Sequence, residues 1–356
     1  MTPPGPRETP PSACVRLAEL AACTGGQWTR FDETERVRYA LPECATAEVR
    51  EYLRPLAEVA LEAVGTAHLQ GARVFGDGAV LSADGREVVR DVSHDFGRPA
   101  DEHWLLGYEE LRAPEVLDGA TAVVAVNLGA GYCHWLLEEL PRLLLVPKGE
   151  VENLILHASE PARAALVRRG GSERIVEARR TAHRACAPLL VPALVGRVGR
   201  PTPAALSLIA DFADGLGREG SRFGERIYVS RAKAARRRVA NEVELASALA
   251  AAGFATVYLE ELGWAEQIAV FRAARVVVAP HGAGLANLVF CAPGTRVVEL
   301  VGREYFNPTF WRLAALGGLD YRPMVSAGEA PLAERRACNR SAIVAEVQAV
   351  LKAARE

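Results

Sequence analysis

The sequence predicts an α/β protein of two domains, each organised around a parallel β-sheet, and three observations predict it. The chain has 356 residues, more than one hydrophobic core usually organises. From about residue 120 onward, short apolar runs alternate with amphipathic stretches, the βαβα order of parallel sheets covered by helices. Midway, residues 196–203 are rich in glycine and proline, the composition of a linker.

Taken in order, residues 1–13 are proline-rich and read as a disordered lead-in. A helix is expected over 47–63, with Val49, Leu53, Leu56, Val59, Ala60 and Ala63 on one stripe. Strands at 72–75, 79–82 and 87–92 follow, and Asp84-Gly85 between the last two is a hairpin signal. They form a small antiparallel subdomain. The alternating part reads as strand 122–126, helix 134–145, strand 153–157, helix 160–169 and strand 188–191. Beyond the linker come helix 204–215, strand 226–230, helix 242–252, strand 256–259 and helix 264–273. Strand 276–279, helix 285–290 and strand 296–300 complete it. Residues 341–354 carry Ile343, Val344, Val347, Val350 and Leu351 at helical spacing, a closing helix packed back onto the first domain. The expected boundaries are therefore 1–13, 14–200, 201–335 and 336–356.

Composition narrows the function. A net charge of −2 gives no reason to expect nucleic acid as a partner, although Arg236, Arg237 and Arg238 cluster and leave local anion binding open. No stretch reaches the ~18–20 apolar residues of a membrane span, and the N-terminus lacks the order of a secretory signal. Seven scattered cysteines without a CxxC pair argue against a disulfide framework or structural zinc. The expected location is the cytoplasm, and a modest basic patch would suffice for peripheral attachment at the inner membrane.

Three segments carry chemistry. In VVVAPHGAGLANLVFCAPGTRVVEL, residues 276–300, an apolar strand ends and His281, Gly282, Ala283 and Gly284 turn the chain into a helix. Glycines admit a ligand close to the backbone, and a helix N-terminus offers N–H groups to a diphosphate. His281 reads equally as a phosphate or sugar contact and as a buried structural histidine. Asn287 is placed to bond the loop backbone, and Glu299, ending the next strand, to accept ribose hydroxyls. In RIYVSRAKAARRRVANEVEL, residues 226–245, a strand feeds a loop bearing Arg231, Lys233 and the arginine triplet. Such cations can stabilise a departing nucleotide diphosphate in place of a metal. A solvated basic loop is the plainer reading for Arg236 and Arg237. Asn241 with Glu244 reads as a capping box, and Glu242 as part of the same helix start.

In NLGAGYCHWLLEELPRLLLV, residues 127–146, His134 and Glu138 lie four apart, on one face of a helix. An imidazole beside a carboxylate suits a general base, at an unperturbed pKa of ~6.5. A helix start decorated with favourable charges is the plainer reading. Glu139 points elsewhere, to the surface or to an acceptor. Asp-x-Asp, GxxxxGK[ST], GxGxxG and GxSxG are all absent from the sequence.

Together, three motifs resemble the glycosyltransferases of family 61: His134-Trp135 with Glu138-Glu139-Leu140-Pro141-Arg142, then residues 226–231, then Pro280 to Leu285 with Asn287. Glu266-Gln267 fits as well, and the likeness runs from about 70 to 325. The resemblance implies a GT-B-like fold, two Rossmann-like domains facing across a cleft, and inversion at the anomeric carbon without a required metal. It implies no cofactor, a nucleotide-sugar co-substrate (a UDP-sugar by the family's habit), and a glycan or lipid-linked glycan acceptor in bacterial capsular or cell-surface polysaccharide synthesis. Catalysis would fall to His134 and Glu138. Donor binding would fall to Arg231, Lys233, Arg238, His281, Gly282, Ala283, Gly284, Asn287 and Glu299. Asn127, Glu139 and Arg142 would lie on the acceptor side. A GT-B-fold nucleotide-sugar epimerase or phosphorylase, and a catalytically silent nucleotide-binding scaffold, are the competing readings.

Overall fold

The computed structural model describes residues 7–34, 36–93, 102–127 and 131–355. The chain divides into two compact units, one of residues 1–35 and 61–198, the other of residues 36–60 and 199–356.

The first unit is built on four parallel strands, β1 (Thr121–Val123), β2 (Asn153–Leu156), β3 (Arg174–Glu177) and β4 (Leu189–Pro192), in the order β3-β2-β1-β4. β1, β2 and β4 are buried at every position, which is why they read as unbroken apolar runs rather than alternating ones. Strands Val64–Leu69 and Gln27–Asp32 extend the sheet antiparallel beyond β4. The connection after β1 runs through α1 (Tyr132–His134), a π-helical turn Trp135–Glu139, and α2 (Leu140–Leu144). α3 (Glu160–Arg169) follows β2, its start capped by Ser159 and its end closed by left-handed Gly170. A second, mixed sheet contains the expected meander Ala72–Phe75, Ala79–Leu81 and Glu87–Val89. Residues 7–13 are not a loose lead-in, because Arg7–Glu8 pairs with Leu111–Arg112 and Ala13–Val15 with Glu87–Val89. Residues 1–6 lie outside the described residues.

The second unit carries five parallel strands, β5 (Arg226–Val229), β6 (Ala255–Val257), β7 (Val276–Pro280), β8 (Arg296–Val301) and β9 (Asp320–Val325). Their order is β6-β5-β7-β8-β9, so the winding reverses between β5 and β7. α4 (Pro203–Phe212) precedes β5, and α5 (Glu242–Ala251), α6 (Trp264–Ala273) and α7 (Thr309–Leu316) are the α-helices between the strands. Among the described residues, no helix in either unit is long and apolar enough to cross a membrane.

Three boundaries depart from the sequence reading. The closing helix, α8 (Val347–Arg355), does not return to the first domain: Val347, Val350 and Ala354 pack with Leu245 and Leu249 of α5 and with Val278, Val298 and Leu300 of the sheet. Residues 36–60 join the second unit because its buried aromatic rings need polar partners for their N–H and O–H groups. Tyr39 Oη donates to Pro201 O at 2.7 Å, and Trp311 Nε1 donates to Ala40 O at 2.9 Å. The helix expected over 47–63 stops at Leu53, continues as a 3₁₀ turn Arg54–Leu56, and gives way to strand Glu58–Ala60. Pro55 supplies no N–H and clashes with the preceding turn, which ends the helix despite its apolar stripe.

Gly78 tests how tightly the meander is held against the end of β1. Both Gly78 and Gly220 have positive φ, but a Cβ at Gly78 would lie 2.3 Å from Ala125 O, whereas one at Gly220 meets nothing within 4 Å. Gly220→Ala is therefore expected to cost about 1–2 kcal/mol, the left-handed penalty alone. Gly78→Ala adds an overpacking cost of about 1–3 kcal/mol. Urea unfolding of the two variants measures the difference.

Candidate functional site

In the second unit, the candidate residues stand at the carboxyl ends of the two strands that flank the reversal of winding. This is where an open α/β sheet leaves a crevice for a ligand. Ser230 and Arg231 follow β5, and residues 281–284 follow β7. The segment after β7 is a 3₁₀ helix, Ala283–Phe290, not the α-helix expected, and Leu285 N already donates to Gly282 O at 2.9 Å. The Arg231 guanidinium lies across Gly282, where a Cβ would come within 2.0 Å of its Nη1. With φ at 178°, the backbone there is extended and open to any residue, and a side chain at 282 would have to displace the Arg231 guanidinium.

Arg237, not Arg238, completes this corner. Among the described residues Arg237 is the non-glycine residue with positive φ, at 52°. That turn sends its side chain back, so that Nε donates to His281 O at 3.0 Å and the guanidinium stacks on Tyr305. Arg238 is exposed, and its carbonyl accepts from Ile343 N. Lys233 is also exposed, paired with Glu261 and lying over Tyr258. Arg231 Nη2 donates to Arg236 O at 3.0 Å, while its Nε is buried with no partner among the described residues. Burial, reinforced by repulsion from Arg237, pushes the Arg231 pKa down to about 10. A desolvated guanidinium crowded by a second cation is an arrangement that an anion relieves.

Glu299 is fully buried, and its two oxygens are engaged by His281 Nδ1 at 2.5 Å and by Tyr321 Oη at 2.5 Å. It therefore orients His281 and does not meet a ribose. Burial, then the charge of Glu299, pushes the Tyr321 phenol well above its ordinary value, so it stays a neutral donor. With Nδ1 held, Nε2 is the nitrogen His281 can offer to a ligand. Asn287 braces the loop as expected, donating to Gly284 O and to Gln267 Oε1, both at 3.1 Å. The expected capping box is replaced as well. Asn241 exchanges hydrogen bonds with the Ala345 backbone, and Glu242 accepts from Tyr228 Oη and Ser230 Oγ at 3.0 and 2.5 Å.

In the first unit, a second group of residues gathers beyond the carboxyl end of β1. His134 Nδ1 is 2.7 Å from Glu138 Oε2, the pair that the spacing predicts. Glu138 is buried, and His134 keeps 26% of its side-chain surface exposed. The π-helical turn turns Glu139 inward too, against the expectation that it faces solvent or an acceptor. Glu139 Oε1 accepts from Val126 N at 2.9 Å and pairs with His157 Nδ1 at 2.5 Å. Sequence reading missed His157, and its position at the end of β2 was the available signal. Arg142 is fully buried and donates to Pro192, Val124 and Ala125 carbonyls at 2.8, 3.1 and 2.6 Å. It staples the ends of β1 and β4, so it is a structural residue and not an acceptor contact. Burial pushes its pKa down to about 10. Asn127 lines a cavity on the same side. Among the described residues, no group of three or more His, Cys, Asp or Glu side chains converges as a metal site would.

The sequence is similar to known proteins over part of its length. The glycosyltransferase 61 family model matches residues 132–298, just under half of the 356-residue chain. A beta-1,2-xylosyltransferase of Arabidopsis thaliana is 32% identical over 66 residues, 18% of this chain and 12% of that protein. A protein O-linked-mannose beta-1,4-N-acetylglucosaminyltransferase 2 of Tetraodon nigroviridis is 38% identical over 109 residues, 29% of this chain and 18% of that protein. Beta-1,2-xylosyltransferase RCN11 of Oryza sativa subsp. japonica is 38% identical over 56 residues, 16% and 10% of the two chains. The matched stretches thus span less than a fifth of these relatives' lengths.

The His134/Glu138 pair has a titration signature. Burial alone would lower the imidazole's pKa, but the charges of Glu138 and Glu139 and the hydrogen bond to Glu138 outweigh it, so His134 titrates above its ordinary value. The stabilisation from the pair is then fully present below the unfolded pKa of about 6.5 and is lost as pH rises through the folded value. Nuclear magnetic resonance titration of the His134 ring should give a midpoint above about 6.5, and Glu138→Gln should lower it. Glu138→Gln should also destabilise the fold more at pH 5.5 than at pH 9. An unmoved midpoint would remove the coupling.

Proposed function

We propose that this chain, a glycosyltransferase 61 protein over residues 132–298, moves a sugar from a nucleotide-sugar donor to a hydroxyl of a glycan acceptor. The observation that carries the donor half is the corner at the ends of β5 and β7. Arg231 and Arg237 meet there against Gly282, with a buried Nε on Arg231 that has no partner among the described residues. Two fixed guanidinium groups suit a leaving nucleotide diphosphate, because the charge that develops on departure meets preorganised donors. His281, its ring held by Glu299, joins the same corner through its backbone carbonyl, which accepts from Arg237 Nε.

On this reading the two units are the halves of a GT-B enzyme, and His134 with Glu138 supplies the base. The imidazole takes the proton of the acceptor hydroxyl, that oxygen attacks the anomeric carbon, and the nucleotide diphosphate leaves in one displacement. Glu138 stabilises the imidazolium that forms. The names of the three relatives specify β-linkages, which inversion of an α-linked donor produces. They also specify pentose or N-acetylhexosamine transfer, which makes UDP-xylose and UDP-N-acetylglucosamine the first donors to assay. The metal-free mechanism is part of the proposal, with the arginines in the place of a divalent cation.

Thermal stabilisation by nucleoside diphosphates in EDTA tests the donor site, since a ligand of the folded state raises Tm by mass action. Arg231→Ala should weaken that binding by about 10- to 150-fold, the value of a charge-assisted contact of about 1.5–3 kcal/mol. Arg238→Ala should leave it near wild type. Stabilisation that appears only when magnesium or manganese is added would overturn the metal-free mechanism.

His134→Ala should keep nucleotide binding and lose about 10²- to 10⁴-fold in turnover. In the wild type the rising limb of kcat/KM should lie above pH of about 6.5, following the raised imidazole. Turnover that is unchanged in His134→Ala would move the base elsewhere.

A further inference from the structure

A cavity of about 270 Å³ opens in the first unit, lined by Asp77, Trp104, Tyr108, Asn127 and Arg180 among others. None of the sequence motifs touches it except through Asn127. Its position is set by the Gly76-Asp77-Gly78 turn, in which both glycines have positive φ, of 60° and 106°. Gly78 packs so closely on Ala125 O that a Cβ would lie 2.3 Å away. The turn therefore pins Asp77 at the carboxyl end of β1. From there the contacts run without a break towards the proposed base: Asp77 Oδ1 is 3.8 Å from His157 Nε2, and His157 Nδ1 is 2.5 Å from Glu139. Glu139 is the residue next to Glu138 on the π-helical turn.

We propose that this cavity holds one pyranose ring of the acceptor. The lining has the three components that such a ring requires. Asp77 is 24% exposed and has no hydrogen-bond partner among the described residues, so its carboxylate is available to vicinal hydroxyls. Arg180 is exposed and makes no ion pair among the described residues, and Asn127 adds an amide. Trp104 and Tyr108, edge-on to one another at 5.3 Å, form an apolar wall for the C–H face of a sugar. Asp77 and Arg180 bring opposite charges to one small lining, so neither an anion nor a cation is favoured by both, whereas both can hydrogen-bond a neutral polyol. The volume lies below the ~300–1,000 Å³ of pockets that take larger ligands, which suits one ring rather than a whole nucleotide sugar. The occupant's role as acceptor rests on the glycosyltransferase reading; its chemistry does not.

Saturation-transfer nuclear magnetic resonance on the full chain tests it, with methyl pyranosides of xylose, glucose, mannose and N-acetylglucosamine as probes. The wild type should saturate at least one of them. Asp77→Asn and Tyr108→Ala should weaken that signal by about 10-fold or more while keeping the wild-type melting temperature and the response to UDP. Failure of the wild type to bind any of the four, or variants that bind as the wild type does, would overturn the proposal. Binding of a pyranoside that depends on Asp77, in a protein that no nucleoside diphosphate stabilises, would uphold the sugar pocket and sink the glycosyltransferase reading instead.

Discussion

A parallel sheet whose winding reverses leaves its two central strand ends uncovered, because the loops that leave them depart to opposite faces. That constraint arranges both units of this protein. In the second unit it opens the corner between β5 and β7, and it sets Arg231 opposite residues 281–284. In the first it lies between β1 and β4, where the strand order turns from β2 to β4 on either side of β1. The chain after β1 carries Asn127 and then His134. Chemistry gathers at these ends because backbone and side-chain groups there are not consumed by the sheet.

Uncovered strand ends next to an apolar core create a second demand, since charges placed there lose much of their water. The protein meets it with buried histidine and carboxylate pairs. Glu299 is sealed beneath His281 and Tyr321, and Glu139 beneath Val126 and His157. Breaking such a pair leaves an uncompensated buried charge, which is far costlier than the pair is stabilising. Glu139 retains one oxygen, Oε2, buried without a hydrogen-bond partner among the described residues. Arg142 meets the same demand differently, with Nε and Nη1 donating to three strand-end carbonyls and Nη2 buried without a partner among the described residues. These groups fix the imidazoles in one orientation, and a preorganised base or ligand contact needs that.

Much of the second unit was legible in the residues. The strand before His281 reads as a strand because Val276, Val277 and Val278 are β-branched and contiguous, and the turn after it reads as a turn because two glycines follow. The meander around Asp84-Gly85 was legible for the same local reason. Where two local signals disagreed, the stronger steric one prevailed: Pro55 ended a helix whose apolar stripe continued past it. The site was legible only in part. His134 and Glu138 meet as their spacing predicts, yet their neighbour Glu139 turns inward because the helix widens to a π turn. Within the arginine triplet, a single left-handed residue selects Arg237 over Arg238, and nothing in three identical side chains indicates which.

By itself the sequence determined the element types, the α/β class and the supply of reactive groups at each turn, because these depend on residues only a few positions apart. The tertiary structure alone decided which groups meet. His157 finds Glu139 and His281 finds Glu299 across 18 residues in each case. Each pairing is made by the adjacency of a strand end to a neighbouring element, which strand order and burial set. Periodicity along the chain carries no record of strand order, so a carboxylate sealed under a histidine and one offered to a ligand look the same until the sheet is assembled.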